Sequence, residues 1–403
     1  MNGLEARRAI ESLRSGVPSG AAVRVIGCGQ PELEHRFQSM LDKTSFDGGL
    51  IVRAGYGAGK SHFLTCLERA ALDAGYGASR IVISKQVPLS DPVKLITAAA
   101  EDLRIGVDVG RGLDQIYDDL QRIVGAGRLE DLADQLVLDK TFDQRFPATV
   151  VLWEHSHDDE LRDRILRFWA GDKLGVAEIR RPLRDLGLAA AYQLGPIKAR
   201  ELALQRLRFI PLLLAAVGLS GWVMLLDEVE LIGQYSRLGR SRAYGELARF
   251  LTDVPGVITV AAISSDFTQA VLDEKGDRDV MASYLEGRYP ELIEGAEAGM
   301  RIIDSAELFV PPDEPRIQKA YVEVRRLYKQ AYGWNPPEIA WPQTVGETTM
   351  RTYVRAWITA WDLRRLNPDT APEEAGFEVT PPAFDYGEEH DLEGGGPEDK
   401  VAD

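Results

Sequence analysis

Apolar residues along this chain keep two different rhythms. Leu50-Ile-Val-Arg-Ala54, Trp222-Val-Met-Leu-Leu226 and Val257 to Ile263 are short, almost unbroken apolar runs, the pattern of strands buried on both faces of a parallel sheet. Arg80 to Ser84 reads as a further strand. Elsewhere the spacing is helical: Phe63, Leu64, Leu67, Ala70 and Ala71 recur on one face up to a stop at Gly75. Residues 86–220 form a long excursion with helix periods at 91–104, 113–124, 158–169 and 196–217 and few strand signals. Late in the chain Thr344-Val-Gly-Glu347 has the form of a capping box, followed by a stripe of Met350, Val354, Trp357, Ile358 and Trp361 at period 3.6. Strands interleaved with helices in this way predict an α/β protein with a parallel sheet, a mostly helical insertion and a helical C-terminal part.

The junction of the first strand and its helix carries chemistry. It reads Ala54-Gly-Tyr-Gly-Ala-Gly-Lys-Ser61, a P-loop in which position 54 holds Ala where the strict pattern has Gly. Gly55, Gly57 and Gly59 allow positive φ, so that successive N–H groups along Gly55, Tyr56, Gly57, Ala58, Gly59, Lys60, Ser61 and His62 can face phosphate oxygens at a helix N-terminus. Lys60 supplies a cation for the β- and γ-phosphates, and the Ser61 hydroxyl suits Mg2+. The ligand expected is ATP with Mg2+.

The second apolar run ends in Asp227-Glu228-Val-Glu230, which delivers carboxylates to the C-terminal edge of a parallel sheet, as a Walker B strand does. Asp227 is expected at the metal and Glu228 at the attacking water, with Glu230 as its understudy. The third run closes in Ser264-Ser-Asp266; if its strand lies between the other two, Ser264 could sense the γ-phosphate, the other reading being a turn or helix cap. Arg351 and Arg355 lie four apart beside the late apolar stripe, where they could either reach the γ-phosphate or make salt bridges on a packed helix. Arg288 and Arg301 are placed by order where an arginine could project into a neighbouring subunit's site. Arg237, Arg240 and Arg242 suit either a nucleic-acid backbone or a solvated charged loop.

These parts together resemble a P-loop ATPase of the AAA+ type with an additional catalytic strand. Ile10-Glu-Ser-Leu-Arg-Ser-Gly-Val-Pro18, Gly29-Gln-Pro-Glu-Leu-Glu-His-Arg-Phe37, Leu225-Leu-Asp-Glu-Val-Glu230 and Arg351-Thr-Tyr-Val-Arg-Ala-Trp357 also resemble the ATP-binding proteins of BREX phage-defence systems, the BrxD group in particular. The resemblance implies an ATPase that switches or remodels a defence assembly with partner proteins. Two alternatives stand beside it, an ATP-dependent DNA-binding protein and a nucleotide-binding scaffold with little turnover. An ATP-dependent homo-oligomer would accompany a shared site. The corresponding division is 1–40 as a helical lead-in touching the base, 41–310 as the ATPase core with its insertion at 86–220, 311–366 as a helical lid, and 367–403 as an acidic tail.

Composition adjusts this picture at a few points. A chain of 403 residues with 45% hydrophobic content can bury a large core. Cys28 and Cys66 have no metal-ligand spacing, and the opening residues lack the apolar segment of a signal peptide, so a cytoplasmic protein is expected. Phe209 to Leu226 is uncharged, but Pro211, Gly218 and Gly221 divide it into a buried helix, a turn and a strand rather than a membrane span. The net charge of −16 argues against nucleic acid at first, yet residues 371–403 hold eleven Asp or Glu against one Lys. The acidity is thus mostly a tail effect. That tail, with Phe377, Phe384 and Tyr386 as its aromatics, is expected to be disordered and solubilising, without a function of its own. Glu154-His155-Ser-His157-Asp158-Asp159 is expected to be a solvated polar loop rather than a metal site.

Overall fold

A computed structural model describes residues 2–17, 20–42, 48–106, 110–252, 254–339, 349–368, 384–387 and 401–402. The chain opens with helices α1 (Gly3–Ser15), α2 (Gly20–Ile26) and α3 (Pro31–Leu41). Strand β1 (Leu50–Ala54) then leads through the glycine loop into α4 (Lys60–Asp73), which returns to β2 (Gly77–Val82). The insertion contributes α5 (Pro92–Glu101), α6 (Tyr117–Ile123), α7 (Arg128–Leu138), α8 (Arg145–His155), α9 (Asp159–Ala170), α10 (Val176–Asp185), the two-residue strand β3 (Ile197–Lys198) and α11 (Ala199–Ala216). After it come β4 (Trp222–Asp227), α12 (Arg237–Leu251), β5 (Val257–Ser264), α13 (Asp277–Glu286), α14 (Ile293–Asp304) and β6 (Glu307–Leu308). Helices α15 (Glu314–Tyr332) and α16 (Met350–Leu366) follow, and β7 (Val401–Ala402) pairs antiparallel with β3.

The five-stranded sheet has the order β2-β4-β5-β1-β6, and its pairings are all parallel. The strand starting at Val257 therefore lies between the strands that start at Leu50 and Trp222. Side chains alternate across the sheet, and the alternation sorts two cores. Ile51, Ile81, Trp222, Met224, Leu226, Ala261 and Ile263 face the insertion helices, whereas Leu50, Val52, Ala78, Val223, Leu225, Ile258 and Val260 face α3 and α4. Both faces are covered, which is why the central strands read as continuous apolar runs.

The insertion packs on the sheet in one continuous core that includes the tilted ring contacts of Trp153 with Trp169 and of Trp169 with Phe209. Asp91 and Asp158 start α5 and α9 by accepting backbone N–H bonds in the first turn. Of the polar stretch at 154–159, His155, His157, Asp158 and Asp159 are exposed as expected, whereas Glu154 is buried and accepts from the Gly125 N–H at 2.6 Å. Among the described residues no group of His, Cys, Asp or Glu could hold a metal by itself. No described helix is long and apolar enough to cross a membrane; the uncharged stretch 209–226 divides between the end of α11, a glycine turn and β4.

A third core joins the two ends of the chain. Ala6, Ala9 and Ile10 of α1 pack with Tyr321, Val324 and Tyr328 of α15 and with Val354, Trp357, Ile358 and Trp361 of α16. The first helix thus belongs with the last two, a pairing more than 300 residues apart in sequence that no local pattern reveals. The capping box expected at 344–347 lies outside the described residues; α16 is capped instead by Thr349, whose side chain accepts from the Thr352 N–H.

Candidate nucleotide site

The P-loop sits where β1 ends. Ala54 is the last residue of that strand, 2% exposed and in register with Ser264, so the absent glycine costs nothing there. Gly57 and Gly59 take φ of 78° and 100°, in the left-handed region that disfavours other residues. Gly55 corrects the expectation of a third such glycine: it opens a turn closed by the Ala58 N–H on its carbonyl at 3.2 Å. Helix α4 begins at Lys60, and Lys60, Ser61 and His62 occupy its first turn, whose N–H groups have no intrahelical acceptors. The result is a cradle of N–H donors with a positive dipole end, suited to phosphate and, through the Ser61 hydroxyl, to a hard cation such as Mg2+. His62 Nε2 lies 2.8 Å from the Gly27 carbonyl, and burial holds its imidazole below the usual value, so this ring ties the N-terminal segment to the loop.

The carboxylates arrive from β4. The Lys60 ammonium donates to the Ala54 carbonyl at 3.1 Å and lies 3.2 Å from Glu230 Oε1. Asp227, nearly buried, pairs with Arg80 of β2 at 2.7 Å, and the same guanidinium donates to Thr65 Oγ1 at 2.8 Å. The register that sets Val82 opposite Asp227 brings Arg80 to this spot. Glu228 is exposed and, alone among the described non-glycine residues, has a positive φ, 60°. A non-glycine residue held in that region at the C-terminal end of a strand is uncommon and carries backbone strain. Partial desolvation first, then Asp227 and Glu230, push the Glu228 carboxyl above its ordinary value. Burial raises Glu230 likewise, against the opposing pull of Lys60.

The polar residues after β5 complete the edge. Ser264 donates its hydroxyl to Asp266 Oδ1 and belongs to the strand itself rather than to a turn. The two arginines of α16 separate. Arg351 faces the P-loop, its guanidinium 6.0 Å from the Tyr56 ring centroid and donating to the Gly16 carbonyl at 2.5 Å, with its Cδ close to Gly57. Arg355 is exposed. Arg288 is exposed, and Arg301 pairs loosely with Glu297 on α14 at 3.6 Å. Arg240 corrects both earlier readings of the 237–242 cluster: α12 turns it inward, where it is 1% exposed and bidentate on Asp277.

Two residues of this neighbourhood escaped sequence reasoning. Arg80 was the one charge inside an otherwise apolar strand, which is the signal that could have found it. Tyr386 comes from the acidic tail and lies 8% exposed against this edge, beside the buried Phe267. Residues 384–387 of the expected tail thus lie against the core.

Residues 2–122 match the family described as BREX system ATP-binding protein BrxC/D. The match covers less than half of the chain, and over that stretch the chain is similar to the BREX ATP-binding proteins. The stretch contains the P-loop, β1, β2 and Arg80, and it bears out the resemblance read from residues 10–18 and 29–37. The BrxC/D-like match stops before β4, so the carboxylates at 227–230 rest on geometry alone. No curated protein matches the chain.

Proposed function

We propose that this chain is an ATPase of the AAA+ type whose turnover switches or remodels a BREX-type defence assembly. The observation that carries the reading is the meeting of Lys60 with Glu230, beside Asp227 and Glu228, at a sheet edge where a glycine cradle opens onto a helix N-terminus. The strand order, with β5 between β1 and β4, supports the AAA+ assignment.

In this reading ATP lies over Gly55, Tyr56, Gly57, Ala58, Gly59, Lys60, Ser61 and His62. Ser61 and Asp227 would hold Mg2+, which neutralises charge on the phosphates. Lys60 exchanges the Glu230 carboxylate for phosphate oxygens, Glu228 orients water, and Ser264 contacts the γ-phosphate. Arg351 is the internal arginine best placed to read that phosphate, since it already faces the loop while Arg355 faces solvent. Arg288 and Arg301 remain the arginines available to a neighbouring copy.

Phosphate release from ATP tests the proposal. Wild-type protein should turn over, and Lys60→Ala and Glu228→Gln should not. Turnover that survives in both variants would assign the activity to a contaminant and reject the site.

A further inference from the structure

Far from β5 in sequence, Phe384–Gly387 is seated on the edge that carries Ser264. The Tyr386 ring packs edge-on against Phe267, with centroids 5.8 Å apart, and beside Phe384 at 4.8 Å. Its seat is shaped for it. A Cβ on Gly233, just after the Walker-type strand, would come within 2.5 Å of the ring. Backbone contacts hold the segment from two sides: Gln234 Nε2 donates to the Asp385 carbonyl at 2.5 Å, and Lys275 Nζ donates to the carbonyls of Gly233 and Tyr386.

The hydroxyl supplies the chemistry. Tyr386 donates to Asp266 Oδ1 at 2.9 Å, and that oxygen also accepts the Ser264 hydroxyl. A carboxylate fixed by two converging donors keeps one rotamer, and the partner hydroxyl is then fixed with it. Thus Tyr386, 120 positions beyond Asp266, helps set where Ser264 Oγ sits. With ATP bound, the single Ser264 proton turns from Asp266 to a γ-phosphate oxygen, and the Tyr386 donor keeps the carboxylate oxygen satisfied. We propose that Tyr386 is a positioning residue for the nucleotide site, acting through Asp266 on Ser264, so that hydrolysis depends on the docked C-terminal segment. The inference rests on the reading of Ser264 as a γ-phosphate contact. It makes residues 384–387 part of the machine rather than of a solubilising appendage.

The test uses the full chain and separates packing from hydrogen bonding. Tyr386→Phe keeps the ring and removes only the donor, so kcat should fall about three- to tenfold, the worth of one such bond, while ATP affinity from calorimetry and KM stay at wild-type values. Asp266→Ala should give a comparable loss, and Tyr386→Phe should add nothing in that background, because both act along one route. A Tyr386→Phe enzyme with wild-type kcat would overturn the proposal, as would losses that add in the double variant. Wild-type protein that fails to exceed Lys60→Ala in phosphate release would reject the ATPase reading itself, and this proposal with it. Normal wild-type turnover with an unaffected Tyr386→Phe rejects the tyrosine alone. Tyr386→Ala tests the ring seat as well, and if it fails to fold the phenylalanine variant still decides.

Discussion

Two of the regions that bury ion pairs in this molecule complete them to different degrees. Between α12 and α13, Arg240 meets Asp277 with bonds of 2.6 and 2.8 Å, gives a further proton to the Tyr235 carbonyl at 2.7 Å, and shares the carboxylate with the Tyr244 hydroxyl at 2.8 Å. Both carboxylate oxygens are occupied. At the sheet edge the pairs are less complete: Lys60 reaches one oxygen of Glu230 at 3.2 Å while Oε2 has no protein partner, and Arg80 holds Asp227 at 2.7 Å with its Nε left unpartnered. Unpartnered buried atoms also occur away from this edge, at Trp153 Nε1, Glu154 Oε2 and Glu246 Oε2, so incompleteness alone does not single it out. What distinguishes the edge is that its spare valence lies beside the glycine loop and the N-terminus of α4, where an anionic ligand would meet it.

The widest separation between the two regions should appear in stability. Asp277→Ala strands a fully buried guanidinium and should cost about 3–5 kcal/mol, a large share of the 5–15 kcal/mol typical of a whole domain. A chemical denaturation midpoint within error of wild type would show that the closed pair is dispensable and blur the contrast.

The next effect belongs to chemistry. Glu228→Gln keeps the shape and the metal and phosphate contacts, so ATP should still bind while hydrolysis slows by roughly 10²–10³-fold. The stalled variant should also scatter more light with ATP than with ADP if a neighbouring arginine completes the site, because persistent ATP stabilises the assembled form. Scattering that ignores the nucleotide would leave a single-subunit switch read by Arg351.

Lys60→Ala removes a charge-assisted contact to phosphate and should weaken ATP binding by about ten- to a hundredfold in calorimetry. Because Glu230 loses its cation, the variant should also melt somewhat below wild type, though less than Asp277→Ala, since the edge is partly open to water. Unchanged affinity in a folded variant would sink the P-loop assignment.

The contrast also shows what the sequence could carry. Strand, glycine loop, Lys-Ser and helix are contiguous, so local pattern alone located β1, the cradle and α4. The strand ending at Asp227 was legible for the same reason, since burial on both faces leaves an unbroken apolar run. What escaped was set by tertiary register. Arg80 meets Asp227 only because β2 pairs beside β4, and Arg240 turned inward because α12 places it against α13, not because its neighbours differ in composition. Helix α1 packs with α15 and α16, and Tyr386 fills a seat made by Gly233; both are contacts between segments more than a hundred residues apart, invisible to any local window.

The smallest expected effect discriminates most sharply between the carboxylates of the open region. In the present arrangement Glu230 occupies the Lys60 ammonium, and a triphosphate must take that cation from it. Glu230→Gln removes the competing charge while keeping the volume, so phosphate meets a less engaged lysine and one fewer negative neighbour. ATP affinity should therefore rise, by about two- to fivefold, the scale of one partly screened ionic contact. Hydrolysis, if Glu228 does the work, should fall far less than in Glu228→Gln. Affinity that drops instead would mean that Glu230 organises the loop for ATP rather than competing with it. A collapse of turnover matching that of Glu228→Gln would move the water-orienting role to Glu230, the buried carboxylate nearest the lysine, and would leave the strained Glu228 to shape the edge rather than act on it.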